Sequence, residues 1–481
     1  MRLNKETAIR PAYNERYGKT DDNPVYAVAQ TPVSTFGADV DTGSYANVRR
    51  FLQQGSLPPA DAVRIEELVN YFDYGYPQPT NGRPFAVHTE TVASPWQPEA
   101  KIIKIGIQAK ESAAQALPPS NLVFLVDVSG SMNSPDKLPL VKQTLHLLTE
   151  RLRPQDKVTL ITYASGEQLV LPPTSGQDKD TIRRAVDRLQ AGGATAGENA
   201  IQMAYREAKK SFMPNGINRI LLATDGDFNV GITDFNTLKN MVAEKRRSGI
   251  SLTTLGFGTG NYNEHLMEQL ADAGDGNYSY IDNRNEAEKV LQRQLSSTLA
   301  TVAQDVKIQV EFNPATVKEY RLVGYENRLL REEDFNNDRV DSGDIGAGHS
   351  VTAFYEIIPV GKTGWLNETR YRNKAAASSS KNEYAWVKLR YKRPNEKQSL
   401  LIERGIAASA KPLDKASADT RFALAVAAYG QQLRGGRYNS AMQWPDIIAL
   451  ARANTGSDRY GLRKEFVRLA ETARNLSSNR P

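Results

Sequence analysis

From residue 121 to residue 302, apolar runs of strand length alternate with amphipathic helical stretches, and no other feature of the 481-residue sequence constrains its fold as strongly. Residues 122–126 and 220–224 are two of the apolar runs, and residues 137–152 form one of the helical stretches. Such alternation predicts an α/β domain with a doubly wound, mostly parallel sheet and helices on both faces. Ligands of such folds bind beyond the carboxyl ends of the strands. We assign residues 116–303 to this domain.

The segments on either side of the α/β domain have different patterns. Polar, turn-rich residues predict an extended lead-in over 1–41, and apolar residues at helical spacing predict a helical region over 42–82. Strands are predicted over 83–115 and 304–405, and a second helical region over 406–481. We expect the earlier strands to complete an antiparallel β-sandwich formed by the later ones.

The composition excludes several classes of protein. The absence of cysteine rules out disulfides, thiol catalysis and thiolate metal sites in this chain. No stretch approaches the roughly 18 to 20 consecutive apolar residues of a membrane-spanning helix. The net charge of +6 is small for this length, and the basic residues are scattered among acidic ones, so we expect no nucleic-acid partner.

One short motif stands where the first strand of the α/β domain ends. Asp127, Ser129 and Ser131 place a carboxylate and two hydroxyls on the loop that follows this strand. Thr195 lies in a glycine-rich loop, and Asp225 follows the apolar run 220–224, so both can reach the first cluster. Oxygen ligands of this kind suit Mg²⁺, Mn²⁺ or Ca²⁺, and the compact, weakly charged loop favours Mg²⁺.

The five residues resemble the metal-ion-dependent adhesion site of the von Willebrand factor type A (VWA) domain, whose pattern is Asp-x-Ser-x-Ser with a distant Thr and a distant Asp. The resemblance implies that Ser129 and Ser131 bind the metal through their hydroxyls and that Thr195 binds it directly or through water. Asp127 and Asp225 are then expected to act mainly through water and hydrogen bonds. An open coordination position would bind an Asp or Glu carboxylate of a protein partner.

The wider chain resembles the bacterial YfbK-type proteins, which carry characteristic regions on both sides of a VWA domain. The resemblance rests on residues 45–52 with 64–72, and on 334–338 followed by 343–349. It implies a location in the cell envelope, commonly through a lipid anchor. The chain as given lacks a signal peptide and a lipid-bearing cysteine, so we expect a trimmed form of an exported protein, with a cytoplasmic protein as the alternative. Membrane association is expected only through an anchor absent from this chain.

The sequence therefore predicts a non-enzymatic, divalent-metal-dependent binding or adhesion protein. A metal-dependent hydrolase and a structural scaffold in which the metal orders the loops are the alternatives. No general base is evident, because His88, His146, His265 and His349 are dispersed along the chain. The segment 334–338 begins like a calcium-binding EF-hand loop but lacks its required Gly and Glu, so a turn is predicted there, with calcium binding as the alternative.

Overall fold

The structure is a computed structural model that describes residues 15–80, 82–111, 118–194, 197–226, 235–291, 301–340, 342–367, 381–394, 396, 398–439, 441–458 and 460–478. The described residues form two compact units. The first takes its residues from Met1–Gly18 and Pro118–Lys289, and the second from Lys19–Leu117 and Val290–Pro481.

The strands follow one another along the chain as β1 (Tyr26–Ala27), β2 (Val33–Gly37), β3 (Phe85–Ala93), β4 (Lys101–Ala109), β5 (Ser120–Asp127), β6 (Lys157–Tyr163), β7 (Glu167–Ser175), β8 (Ile217–Thr224), β9 (Ser251–Phe257), β10 (Tyr278–Ile281), β11 (Thr301–Phe312), β12 (Val317–Val323), β13 (Leu329–Leu330), β14 (Ile345–Gly346), β15 (Ser350–Pro359), β16 (Glu383–Lys392) and β17 (Ser399–Ala407). The α-helices are α1 (Gly43–Gln53), α2 (Ile65–Asn70), α3 (Leu138–Arg151), α4 (Lys179–Asp187), α5 (Gly197–Lys210), α6 (Phe235–Lys245), α7 (Glu264–Ala273), α8 (Arg284–Lys289), α9 (Ala418–Leu433), α10 (Trp444–Ala453) and α11 (Leu462–Ser478).

The first unit contains a six-stranded sheet in the order β10-β9-β8-β5-β6-β7. Every neighbouring pair is parallel except β6 and β7, which are antiparallel at one edge. All eight residues of the central strand β5 are buried, as expected for a strand covered by helices on both faces. Residues 15–18 also belong to this unit, where Arg16 forms a parallel bridge with Asn263.

The second unit contains two antiparallel sheets, ordered β1-β12-β15-β4-β3 and β13-β2-β11-β16-β17, with β14 paired to β11. Strand β4 pairs with β15 from Lys101 to Gln108, so strands that precede the first unit in sequence share a sheet with strands that follow it. A continuous core includes Ile103 and Ile105 of one sheet and Ile308 and Val387 of the other. Together with the mostly parallel sheet, this sandwich confirms the predicted fold class.

The helices at the two ends of the second unit share one hydrophobic core. The Phe72 ring, just after α2, lies 5.0 Å from that of Phe422 in α9 and 5.8 Å from that of Phe466 in α11. Tyr429 in α9 lies 5.8 Å from Trp444 in α10, measured between ring centroids. The sequence predicted the two helical regions separately, and the aromatic contacts join them.

Five strands were not predicted individually: the two-residue strands β1, β13 and β14, and the longer strands β2 and β17. Strand β2 lies in the predicted lead-in, and β17 follows the last strand that the alternation indicated. A final helix was predicted over 286–298; α8 confirms its first part, and residues 292–298 of the prediction lie outside the described residues. Among the helices that the structure describes, none has the length and apolar character needed to cross a membrane.

Candidate metal centre

Asp127 is the last residue of β5, and its buried carboxylate is held by hydrogen bonds from three neighbours. Its Oδ1 accepts from the Ser129 backbone N–H at 2.9 Å. Its Oδ2 accepts from the Thr224 hydroxyl at 2.8 Å and from the Tyr163 hydroxyl at 3.5 Å. Because Thr224 and Tyr163 end the two parallel strands beside β5, the sheet itself fixes the orientation of this carboxylate.

Two hydroxyls converge on the loop after β5. Ser129 Oγ and Ser131 Oγ lie 3.1 Å apart, where a short 3₁₀ helix (Gly130–Asn133) begins. Ser129 is buried, whereas Ser131 is exposed. The pair therefore consists of a buried hydroxyl, that of Ser129, and a hydroxyl that solvent or a ligand can reach, that of Ser131.

Asp225 directly follows β8, the parallel neighbour of β5, so both aspartates lie at the same edge of the sheet. Burial, with the charge of Asp225 adding to its effect, raises the pKa of Asp127 to about 6. Both aspartates are fully buried. Two buried carboxylates close enough to affect each other electrostatically favour a cation between or beside them.

Lys137 and Asn261 also belong to this centre, and sequence reasoning missed both. Lys137 Nζ donates to Asp225 Oδ2 at 2.9 Å and to Asn261 Oδ1 at 3.0 Å. Asn261 follows the glycine-rich segment 256–260, which comes at the end of β9. The position of β9 beside β8 in the parallel sheet was the available signal, because it brings the loop after β9 to the edge that holds Asp225.

Thr195 lies outside the described residues, but the loop before it is attached to the serine loop. The Gly192 N–H donates to the Val128 carbonyl oxygen at 2.7 Å, and the Gly130 N–H donates to the Gly193 carbonyl oxygen at 2.9 Å. The Ala194 N–H donates to Ser165 Oγ at 3.0 Å. The assignment of Thr195 as a ligand stays a prediction.

The side chains present fit a hard divalent cation. Within the described ranges no group of three or more His, Asp or Glu side chains is arranged to hold a metal. The oxygens that converge at this edge are instead two hydroxyls, with Asp127 and Asp225 behind them. Hydroxyl, carboxylate and water oxygens are the donors that Mg²⁺ prefers. Ser129 and Ser131 would hold the metal, and the assignment of all five residues as its site stays a prediction.

Basic side chains bind the oxygens of the segment that resembles an EF-hand loop, residues 334–338. Asp338 accepts from Arg390 Nη2 at 2.9 Å and from Ser399 Oγ at 2.7 Å, while Lys307 Nζ donates to the Asn337 carbonyl oxygen at 2.7 Å. The Ser399 hydrogen bond and the nearby Arg390 lower the pKa of Asp338 to about 2. A 3₁₀ helix (Glu332–Asn336) forms much of the segment where a turn was predicted. The contacts argue against the calcium alternative, because the oxygens of this segment already bind basic side chains of the protein itself.

Three family models match the sequence in succession. The model described as "von Willebrand factor" matches residues 11–104, "von Willebrand factor type A domain" matches 121–294, and "Uncharacterized protein YfbK, C-terminal" matches 297–476. The second match contains Asp127, Ser129, Ser131, Thr195 and Asp225.

Curated relatives match over very different lengths. The Escherichia coli (strain K12) protein "Uncharacterized protein YfbK" is 48% identical over 478 residues, which cover 98% of this chain and 83% of that protein. Human "Inter-alpha-trypsin inhibitor heavy chain H4" is 32% identical over 161 residues, covering 32% of this chain and 17% of that protein. A solved structure of "von Willebrand factor type A from Catenulispora acidiphila" is 18% identical with a TM-score of 0.43, covering 81% of this chain and 91% of that one.

Proposed function

This chain belongs to the YfbK family of von Willebrand factor type A domain proteins, and from that premise we propose that it binds a protein partner through a divalent metal. The VWA domain supports a protein-interaction or adhesion role. The finer proposal is that Mg²⁺, or Mn²⁺ or Ca²⁺ in its place, is held at the loops after β5 and β8 and takes up an Asp or Glu carboxylate of the partner. The proposed location is the bacterial cell envelope.

The main support for this proposal is the pair of hydroxyls of Ser129 and Ser131. Ser129 Oγ and Ser131 Oγ lie 3.1 Å apart at the carboxyl edge of a parallel sheet, next to two buried aspartates. A turn or a helix cap would account for one of these side chains, but it would not require four of them to converge. The exposure of Ser131 leaves the outer side of the cluster accessible to a partner.

Each side chain has a distinct part in the proposed binding. A bound metal would supply an electrophilic, open coordination position for a carboxylate. Ser129, Ser131 and Thr195 would hold it with neutral hydroxyls, which leave most of its positive charge for an anionic partner. Thr224 orients Asp127, and Lys137 orients Asp225, so the two aspartates can position metal-bound water.

The surroundings favour binding over hydrolysis. A hydrolase would need a general base near the reacting atoms. The Asp127 carboxylate accepts three hydrogen bonds, and Asp225 faces the Lys137 ammonium. Two of the histidines contact residues that are not part of the centre, since His146 pairs with Asp187 and His88 contacts the Pro77 carbonyl oxygen.

Calorimetry with Mg²⁺ alone tests the metal site. Ser129→Ala combined with Ser131→Ala should abolish Mg²⁺ binding while the circular dichroism spectrum stays that of the wild type. The matched control is Ser175→Ala with Ser248→Ala, because these serines lie near the amino ends of β6 and β9, at the opposite edge of the same sheet. Unchanged Mg²⁺ affinity in the first double variant would remove the basis of the proposal.

Partner capture tests the function. The purified chain should retain protein from an envelope extract in Mg²⁺, release it in EDTA and retain it again when Mg²⁺ or Mn²⁺ is restored. The double variant should retain none under any of these conditions. If EDTA does not release the captured protein, the partner binds elsewhere on the molecule. Metal-dependent turnover of a peptide or phosphoester would favour the hydrolase.

A further inference from the structure

Lys137 has a position that helix stability does not explain. It immediately precedes α3, and a cation at a helix N-terminus is disfavoured by the helix dipole. Its side chain is only 7% exposed and ends at Asp225, which is 0% exposed. A buried ammonium is costly unless it is paired and hydrogen-bonded. The burial of Lys137 is therefore explained by the contacts of its ammonium group and not by the helix that follows it.

Two loops surround this side chain. Gly258, which has φ +78°, lies against the aliphatic stem of Lys137, and a Cβ atom at Gly258 would overlap that stem. At the far end, Asp225 and Asn261 accept the hydrogen bonds of the ammonium. The loop after β8 thus contributes Asp225, and the loop after β9 contributes both Gly258 and Asn261.

The ammonium lies where it changes the electrostatics of the metal centre. It contacts Asp225 Oδ2 at 2.9 Å, and Asp225 in turn acts on Asp127 through its charge. One buried positive charge therefore offsets part of the repulsion between two buried carboxylates. A divalent cation at the Ser129 and Ser131 hydroxyls would be attracted by the same carboxylates and repelled by the ammonium.

We infer that Lys137 is the internal counter-cation of the metal centre. It holds Asp225 in place when no metal is bound, and it keeps the affinity for a divalent metal lower than the oxygen ligands alone would give. This inference rests on the proposed function, since it describes how the same site is regulated. Its consequence is a site that is assembled before the metal arrives and that exchanges metal readily.

Calorimetric titration of the full chain with Mg²⁺ tests the inference. Lys137→Met keeps most of the stem and removes the charge, while Lys137→Gln is also neutral and keeps amide hydrogen-bond donors on a side chain one atom shorter. Either variant should bind Mg²⁺ at least about tenfold more tightly than the wild type. Lys210→Met is the control, because it removes a lysine that pairs with Glu207 at 2.7 Å at the end of α5, and its Mg²⁺ affinity should equal that of the wild type.

The outcomes separate this inference from the proposed function. If the wild type binds Mg²⁺ and both Lys137 variants bind it equally or more weakly, the inference is wrong while the metal site stands. If the wild type and all variants fail to bind Mg²⁺, the metal site fails and the inference fails with it. If Lys137→Met does not fold, the affinity of Lys137→Gln decides.

Discussion

The backbone N–H of Gly130 donates a hydrogen bond to the carbonyl oxygen of Gly193 at 2.9 Å, and this bond joins the serine loop to the loop that precedes Thr195. These two loops are 63 residues apart in sequence, so the contact exists only because β5 and the glycine-rich loop lie at one edge of the sheet. The joined loops give the Thr195 assignment a structural basis that can be tested.

Thr195→Ala should weaken Mg²⁺ binding and leave folding unchanged. Loss of one neutral hydroxyl ligand should lower the affinity by roughly tenfold, while the hydrogen bonds of Gly192 and Gly193 to the serine loop remain. Calorimetry with Mg²⁺ and thermal unfolding without metal measure the two effects. Thr174→Ala on the edge strand β7 is the control. Unchanged Mg²⁺ affinity in Thr195→Ala would remove Thr195 from the site.

Gly193→Ala and Gly192→Ala form a matched pair that tests the joined loops. Gly193 has φ +84°, and a Cβ atom there would lie 2.6 Å from Ser165 Oγ, whereas a Cβ atom at Gly192 would meet nothing within 4 Å. We expect Gly193→Ala to cost about 1–3 kcal/mol of stability and to weaken Mg²⁺ binding. Gly192→Ala should change both by much less. Equal effects of the two substitutions, measured by chemical unfolding and calorimetry, would contradict this account.

The sequence predicted the strands that position the metal centre better than it predicted all the side chains of that centre. The continuous apolar runs that became β5 and β8 identify strands buried on both faces, and the residues after such strands meet at one edge. The sequence positions were therefore enough to predict one cluster of side chains, formed by Asp127, Ser129, Ser131 and Asp225. Their proximity follows from the sheet, and their role as metal ligands stays a prediction.

Lys137 could not be predicted because its role depends on two distant loops. A lysine at the start of a helix normally extends into solvent. Only the approach of Gly258, 121 residues later, provides space for the stem to pass inward to Asp225.

Strand β17 was missed for a different reason. Leu401 and Glu403 lie two residues apart on its exposed face, and one is apolar while the other is charged. The alternation of apolar and polar residues that indicates a strand is therefore lost.

Arg321→Met should strongly destabilise the second unit. Arg321 on β12 donates to Glu356 Oε2 on β15 at 2.9 Å and to Gln431 Oε1 on α9 at 2.9 Å, and both charged side chains are buried. Removing the guanidinium leaves a buried carboxylate without its cation, which costs about 3–5 kcal/mol. Combining Arg321→Met with Glu356→Leu should recover much of that loss. If the double variant is less stable than Arg321→Met alone, as measured by denaturant unfolding, the ion pair is not the cause.

Glu90→Gln should destabilise the second unit at neutral pH and have little effect in acid. Desolvation opposes ionisation of Glu90, but hydrogen bonds from Thr420, Lys411 and Ser417 outweigh it and lower the pKa of its carboxyl to about 2. Ser417 is the N-cap of α9, so the carboxylate stabilises the start of that helix.

The sign of the pH dependence of Glu90 follows from the lowered pKa. A carboxyl group that ionises more easily in the folded state stabilises the protein above its ordinary pKa of 4.5, and this contribution is lost as the pH falls towards 2. The stability difference between wild type and Glu90→Gln should be about 1.5–3 kcal/mol at pH 7 and should shrink steadily from pH 5 to pH 3. Glu99→Gln removes an exposed carboxylate paired with Lys362 and should cost less than about 1 kcal/mol. A difference for Glu90→Gln that stays constant between pH 7 and pH 3 would mean that its hydrogen bonds do not depend on the charge of the carboxylate.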